Sequence, residues 1–296
     1  MNVDVVRPMV DQAPRRLGPI RYFACFRGIV WREVLRFLHQ RERFFSALVR
    51  PLVWLFIFAA GFRQVLGVSI IPPYESYVLY ETFVTPGLVG MILLFNAMQS
   101  SLSMVYDRET GAMRTLLVSP FPRSFLLLSK LIGGVAVALL QAYAFLAIAY
   151  FWEIEPPPIG YLTVAPALIL AGLMLGSLSL FISSVIRQLE NFAGVMNFVI
   201  FPMFFASSAL YPLWRIRESS PVLYEVCRIN PFTYAVELIR FALYGQIGPR
   251  LENGSLDLTN LYVVLGYTVL FLGAAIYAYN PSKGLIGRRG GPGGRD

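Results

Sequence analysis

Six stretches of this chain are almost free of charge and long enough to cross a bilayer, which restricts the fold more than any motif does. They run Pro51 to Phe62, extended back through Phe44, then Thr82 to Tyr106, Leu131 to Trp152, Pro156 to Ile186, Asn191 to Trp214 and Leu258 to Ser282. A helix rises about 1.5 Å per residue, so about 20 apolar residues cross the hydrocarbon layer. Of all residues 56% are hydrophobic and only 14% charged, against roughly 25% charged in an ordinary soluble domain. A soluble fold of this length could not bury that much apolar surface. The expected fold is an all-α membrane protein with spans at about 44–66, 82–106, 129–152, 159–186, 191–214 and 258–281, inside a transmembrane domain of 44–282. Arg50 interrupts the first span, where a guanidinium near a helix end can reach the headgroups while its stem stays in hydrocarbon.

Residues 1–19 are mixed in charge and broken by Pro8 and Pro14, with no apolar run leading to a small-residue cleavage site, so no removed signal peptide is expected. Cys25 and Cys227 lie far apart and on opposite sides of the expected topology, which indicates neither a disulfide nor a thiolate metal site. Residues 283–296, rich in glycine and arginine, are expected to be a disordered tail.

Lys and Arg placement orients the spans, because cytoplasmic segments keep an excess of positive charge. Ten arginines precede the first span's core, Arg108, Arg114, Arg123 and Lys130 follow the second span, and Lys283, Arg288, Arg289 and Arg295 close the chain. The opposite loops are poor in unbalanced cations. Both termini are therefore expected in the cytoplasm of a bacterium, with the chain multi-pass in its plasma (inner) membrane. Attraction to anionic membrane lipid accounts for the net charge of +8 without a nucleic-acid partner.

Residues 20–43 differ from the spans. On a helical projection Phe23, Phe26, Val30, Val34, Phe37 and Leu38 share one face, while Arg21, Arg32, Arg36, His39 and Arg43 form a stripe opposite. That pattern predicts an amphipathic helix lying flat on the inner leaflet; a basic helix of a soluble N-terminal domain is the alternative.

The segment from Asp107 to Pro120 predicts a short cytoplasmic helix, with Asp107 as its cap, Met113, Leu116 and Leu117 on one face, and Pro120 at its end. Such a helix suits a protein partner, or else is a plain turn between two spans. The last external loop is too apolar to be simply solvated. Ser219 and Ser220 before Pro221 mark a helix start, Asn230-Pro231 breaks the chain, and Phe232, Val236, Ile239 and Leu243 repeat at helical spacing up to Gly245. Two short helices dipping back into the outer leaflet and roofing a pathway are expected there.

Missing chemistry is also informative. Within the uncharged blocks only Arg50 is ionisable, whereas ion-coupled carriers place ionisable groups inside their spans. No Gly-Lys pair exists, so the chain lacks a phosphate-binding loop of its own. The lone histidine, His39, has no companion for metal or nucleophilic chemistry, and Glu153 with Glu155 reads as a polar helix boundary. No cofactor or metal is expected on this chain, and no catalytic site. Asn96, Gln99, Ser100, Ser101, Ser103, Gln141 and Asn197 are polar positions within spans that either line a pathway or bond neighbouring helices. Gly172 and Gly176 have the spacing for close helix approach.

Two stretches carry a family resemblance. Glu109, Thr110, Gly111, Ala112, Met113, Arg114, Thr115, Leu116, Leu117 and the closing Pro120 resemble the cytoplasmic segment before the third span of ABC-2 type exporter permeases. Phe201-Pro-Met-Phe-Phe-Ala-Ser-Ser-Ala-Leu with Tyr211 and Pro212, followed by Asn230, Pro231, Phe232, Thr233, Tyr234, Ala235, Val236, Glu237, Leu238, Ile239 and Arg240, are similar to that family's external-loop signature. Ala112, Met113, Ser208 and Ala209 depart from its usual residues. The resemblance implies a permease that dimerises, as a homodimer, on two copies of an ATP-binding subunit that hold ATP and Mg. It also implies a coupling helix at Asp107, Arg108, Glu109, Gly111, Met113, Leu116, Leu117 and Pro120, and a gate formed by Phe23, Phe26, Val30, Trp31, Arg32 and Arg36. Exported cargo in that family includes lipids, lipid-linked polysaccharides, nodulation factors and drugs. A non-transporting scaffold or lipid-modifying enzyme is one rival reading. An ion-driven carrier is another, provided that Arg50 or Glu237 lies in the pathway.

Overall fold

The computed structural model describes residues 18–39, 48–57, 80–110, 120–152, 154–186, 188–245 and 258–278, and leaves the side chains of Arg108 and Arg123 undescribed. The described elements are helices: α1 (Pro19–His39), α2 (Leu48–Ile57), α3 (Tyr80–Glu109), α4 (Arg123–Tyr150), α5 (Gly160–Val185), α6 (Leu189–Phe205), α7 (Leu213–Ser219), α8 (Pro221–Ile229), α9 (Pro231–Tyr244) and α10 (Thr259–Ala278). The membrane assignment follows from four of them. Tyr80–Asp107, Ser124–Tyr150, Gly160–Val185 and Thr259–Ala278 are long and apolar enough to cross a bilayer. Two shorter apolar helices, α2 and α6, accompany them.

Several boundaries differ from the expectation for physical reasons. The 191–214 span ends as a helix at Phe205, because Asn230 Nδ2 donates to the carbonyl oxygens of Met203 (2.7 Å) and Ala206 (2.6 Å) and so holds the chain in a turn. Asp107 does not cap a separate helix; α3 continues through it to Glu109. On the other side α4 starts at Arg123, directly after Pro122, which brings Lys130 inside a spanning helix. The first span, 44–66, is described only at 48–57, and Gly111, Met113, Leu116 and Leu117 lie outside the described residues, as does the tail.

α3, α4, α5 and α6 alternate in direction. The pairs Asn96–Gln141 and Asp107–Lys130 set α3 antiparallel to α4, and Ser101–Ser179 sets it against α5. Ser179 also donates to Ala97 O at 3.0 Å, a side-chain bond that crosses between helices. Glycines set the spacing. A Cβ on Gly176 or Gly172 would run into Leu131 or Val135 of α4, so the small-xxx-small pair of α5 does mark a close helix contact. Gly87 lets the turn at Ala209 lie against α3, where a Cβ would fall 2.5 Å from Ala209 O. Gly160 admits the carbonyl of Leu243 against the start of α5.

α10 packs mainly along α5 and α9 and leaves Tyr262, Val269, Leu270 and Tyr277 facing outward. On a membrane chain such side chains face lipid or another polypeptide. The two cysteines are free, Cys25 half-buried in α1 and Cys227 buried in α8.

Candidate functional site

One end of the bundle gathers the C-termini of α3 and α5 and the N-termini of α4 and α6. Lys130 Nζ lies 2.9 Å from Asp107 Oδ2, and Glu109 Oε1 accepts from Leu189 N–H at 2.8 Å. Carboxylates at a helix N-terminus satisfy amides that have no partner within the helix, so Glu109 ties the end of α3 to the start of α6. Arg108 continues α3, and Pro120 is exposed just before α4. The described residues on either side of 111–119 are thereby fixed at this end of the bundle.

Deeper in the bundle, α1 runs beside α4. Tyr22 meets Phe121 and Phe125 edge-on, and Gly133 lets Glu33 and Val30 approach, with a Cβ there only 3.2 Å from Glu33 Cγ. Contact with α4 divides the apolar face that the projection treated as one. Phe26, Val30, Val34 and Phe37 turn inward, whereas Phe23 is 65% exposed and Leu38 and Trp31 also face out. Glu33 pairs with Arg32 at 3.5 Å and Arg36 at 3.7 Å.

Between α1, α2, α3 and α4 lies a cavity of about 260 Å³. Asn96, Gln99 and Ser100 of α3 and Gln141 of α4 line it together, with Ser103, Glu33, Arg36 and Arg50. Asn96 Nδ2 donates to Gln141 Oε1 at 2.7 Å, so the same pair both lines the cavity and bonds two helices. Asn197 is not brought to this group; it is exposed on α6. Sequence reasoning missed Glu33 as a lining residue, although a lone acid among arginines was visible on α1. Arg50 stacks on Phe95, its guanidinium carbon 3.9 Å from the ring centroid, which a backbone-free reading of the arginine as a snorkelling group could not show.

At the opposite end α7, α8 and α9 close over the bundle. Ser220 caps α8, at the helix start expected before Pro221, and Asn230, expected only to break the chain, caps α9; Phe232, Val236, Ile239 and Leu243 form the buried face of α9. Arg240 is 1% exposed, pairs with Glu237, lies over the Phe83 ring at 4.0 Å and donates to Ser208 O at 2.8 Å and Phe83 O at 3.3 Å. Pro212 precedes α7, and Tyr211 is half-exposed beside it. Pro231 occupies the first position of α9, where its missing N–H costs nothing. Tyr80 O–H donates to Leu210 O at 3.0 Å.

The charge-free view of the spans needs correction in the light of these contacts. Glu81 and Lys130 lie buried within apolar helices, and the uncharged blocks, Thr82 onward and Leu131 onward, begin directly after them.

A family model for the ABC-2 type transporter matches residues 25–244, from α1 through the end of α9. The chain belongs to the ABC-2 type transporter family. As an ABC-2 chain it is a transport permease rather than a catalytic enzyme, and the family implies partnership with an ATP-binding subunit. It is 31% identical over 211 residues to the probable multidrug ABC transporter permease YbhR of Escherichia coli, covering 69% of this chain and 54% of that one. The putative transport permease ycf38 of Cyanophora paradoxa is 26% identical over 234 residues, 77% of this chain and 76% of the other. Nodulation protein J of Neorhizobium galegae is 23% identical over 237 residues, 75% of this chain and 81% of the other. The matched ABC-2 region contains every lining residue of the cavity and the α7–α9 roof.

Proposed function

We propose that the chain is the permease subunit of an ATP-driven exporter that moves an amphipathic, lipid-linked or drug-like molecule out of the cytoplasm or the inner leaflet. In this reading α2 and α6 complete six spans, both termini are cytoplasmic in a bacterial inner membrane, α1 lies at the inner leaflet, and α7–α9 re-enter the outer leaflet. Two copies form a homodimer on two ATP-binding subunits, which hold the ATP and Mg.

The observation that supports this reading best is the dual role of α3. Its end, at Asp107 and Glu109, feeds the 111–119 segment, and its middle, at Asn96 to Ser103, forms one wall of the polar cavity. A push on that segment would move the cavity wall through a continuous helix, a rigid-body route rather than a diffuse one. Relatives named a probable multidrug ABC transporter permease and a nodulation protein are consistent with amphipathic cargo.

An ion-driven carrier is less well supported. Arg50 does line the cavity, but a guanidinium stays protonated and cannot shuttle protons, and Glu237 is held by Arg240.

The test is purification of the membrane complex. An ATPase subunit is expected to co-elute, and Glu109→Arg or Leu116→Arg is expected to abolish both association and ATP-dependent efflux. Full association and efflux in both variants would remove the coupling role.

A further inference from the structure

The cavity between α1, α2, α3 and α4 has a lining that recognises something more definite than a generic apolar molecule. Two guanidinium groups, of Arg36 and Arg50, face it against one carboxylate, Glu33, which already serves Arg32 and Arg36. Among the described residues Arg50 has no carboxylate partner and rests on the Phe95 ring instead. Among the described lining residues the cavity therefore carries an excess of one positive charge, and Phe37, Met91, Ile92 and Val137 line it as well.

Neutral donors add to that bias. Gln141 is only 3% exposed. Its amide oxygen is committed to Asn96, which directs its amide nitrogen, a donor, to the remaining space. Ser103 donates to the carbonyl oxygen of Ser100 within α3, so its oxygen keeps acceptor capacity only. Gly134 keeps the floor open, since a Cβ there would stand 3.0 Å from Ser100 Oγ. Two guanidinium forks and an amide N–H, with apolar walls alongside, match an oxyanion that is attached to a hydrocarbon chain.

We propose that this cavity is a headgroup site for a phosphate-bearing amphiphile, with Arg50 as the principal phosphate contact, Arg36 and Gln141 as supporting donors, and the acyl chain leaving along Phe37, Met91 and Ile92. The inference rests on the transport reading only for its purpose; the binding itself needs neither ATP nor a partner subunit. It places the selectivity for cargo or for a bound lipid inside one copy of the chain.

The experiment uses the purified full-length permease in detergent, stripped of lipid and re-exposed to phosphatidylglycerol, to phosphatidylcholine, to a diacylglycerol of the same chains, and to inorganic phosphate, with adducts counted by native mass spectrometry. Retention of phosphatidylglycerol is expected to exceed that of diacylglycerol at least tenfold. Arg50→Gln should lower that ratio about tenfold, Arg50→Lys should largely restore it, and Arg215→Gln, on an exposed helix at the far end, should leave it unchanged. Arg50→Lys also guards against a folding defect, since both variants remove the stacked guanidinium. Equal retention of diacylglycerol, unchanged selectivity in Arg50→Gln, or binding of free phosphate without the lipid would each overturn the proposal. If efflux proved independent of ATP while the lipid selectivity stood, only the exporter reading would fall.

Discussion

Lys130 Nζ sits 2.9 Å from Asp107 Oδ2, with the lysine side chain only 8% exposed, and this pair closes the gap between the two helices that flank the 111–119 segment. A buried charge left without its partner is costly, whereas the intact pair contributes little net stability. The pair is therefore better read as a fixed hinge point than as a source of stability. Lys130→Met is expected to cost about 1–3 kcal/mol and, under the proposed exporter role, to reduce ATP-dependent efflux at least tenfold. In the double variant Asp107→Asn/Lys130→Met the stability losses should be less than additive. Additive losses in a thermal-unfolding cycle would show that the two groups do not act as a pair.

The roof is held by Arg240. Its guanidinium reaches Glu237, Phe83 O and Ser208 O while lying on the Phe83 ring, so it joins α9 to the start of α3 and to the turn after α6. Removing one partner of such a buried group costs about 3–5 kcal/mol. Arg240→Met should lower the Tm in detergent by at least about 5 °C, and Glu237→Gln by less, because the two backbone acceptors remain. A Tm within 1 °C of wild type, on the order of measurement scatter for a shift of a few tenths of a kcal/mol, would contradict this role.

Close backbone contact makes a different prediction for glycine. Gly160→Ala would push a methyl group into the Leu243 carbonyl, and Gly87→Ala into Ala209; backbone cannot move aside as a side-chain tip can. Overpacking of this kind costs about 1–3 kcal/mol. Gly194→Ala, with nothing near its added carbon, should be neutral or slightly stabilising, since alanine favours helix. Ranking the three variants by expression and Tm tests the packing directly.

Cys227 lies outside the four spanning helices, and burial pushes its thiol pKa up from the ordinary value. The thiolate is the reactive species, so maleimide should label Cys25 readily at pH 7.5 and Cys227 only after unfolding in detergent. The sign for stability follows. A thiol whose folded pKa is raised holds its proton more tightly when folded, so its contribution is intact below the unfolded thiol pKa and is lost as pH rises through the folded one. Cys227→Ser should remove that alkaline loss. Equal labelling of both cysteines in the folded protein would sink the assignment.

The last turn of α6 offers a further check. Asn230 caps α9 and also binds the carbonyls of Met203 and Ala206, so Asn230→Ala is expected to cost about 2 kcal/mol, above the usual ~1 kcal/mol for a lost cap alone. Asn230→Asp keeps the cap but loses both donors, and should fall between. If Ala and Asp were equally costly, the donors to α6 would be the whole effect.

Much of this protein was legible in its residues. Charge-free length marks a chain that must satisfy its backbone internally, and in hydrocarbon that leaves helices; arginine placement suggested the ends, and Ser220-Pro221 marked the start of α8 and Asn230-Pro231 the break before α9 because cap and proline chemistry is local. The grouping of Asn96, Gln99, Ser100 and Gln141 could only be suspected, since a polar residue in a span has two uses and periodicity does not choose between them. Tertiary structure decided what local rules cannot reach. It brought Asp107 to Lys130, Glu109 to Leu189, Arg240 to Ser208 and Arg50 to Phe95, pairs whose members are separated by tens of residues. It also split the apolar face of α1 and left Asn197 outside the cavity, because which side of a helix meets a neighbour depends on where glycines such as Gly133 allow approach. The sequence by itself thus determined that the chain is helical and membrane-bound; only packing between helices decided which of its few polar groups share one site.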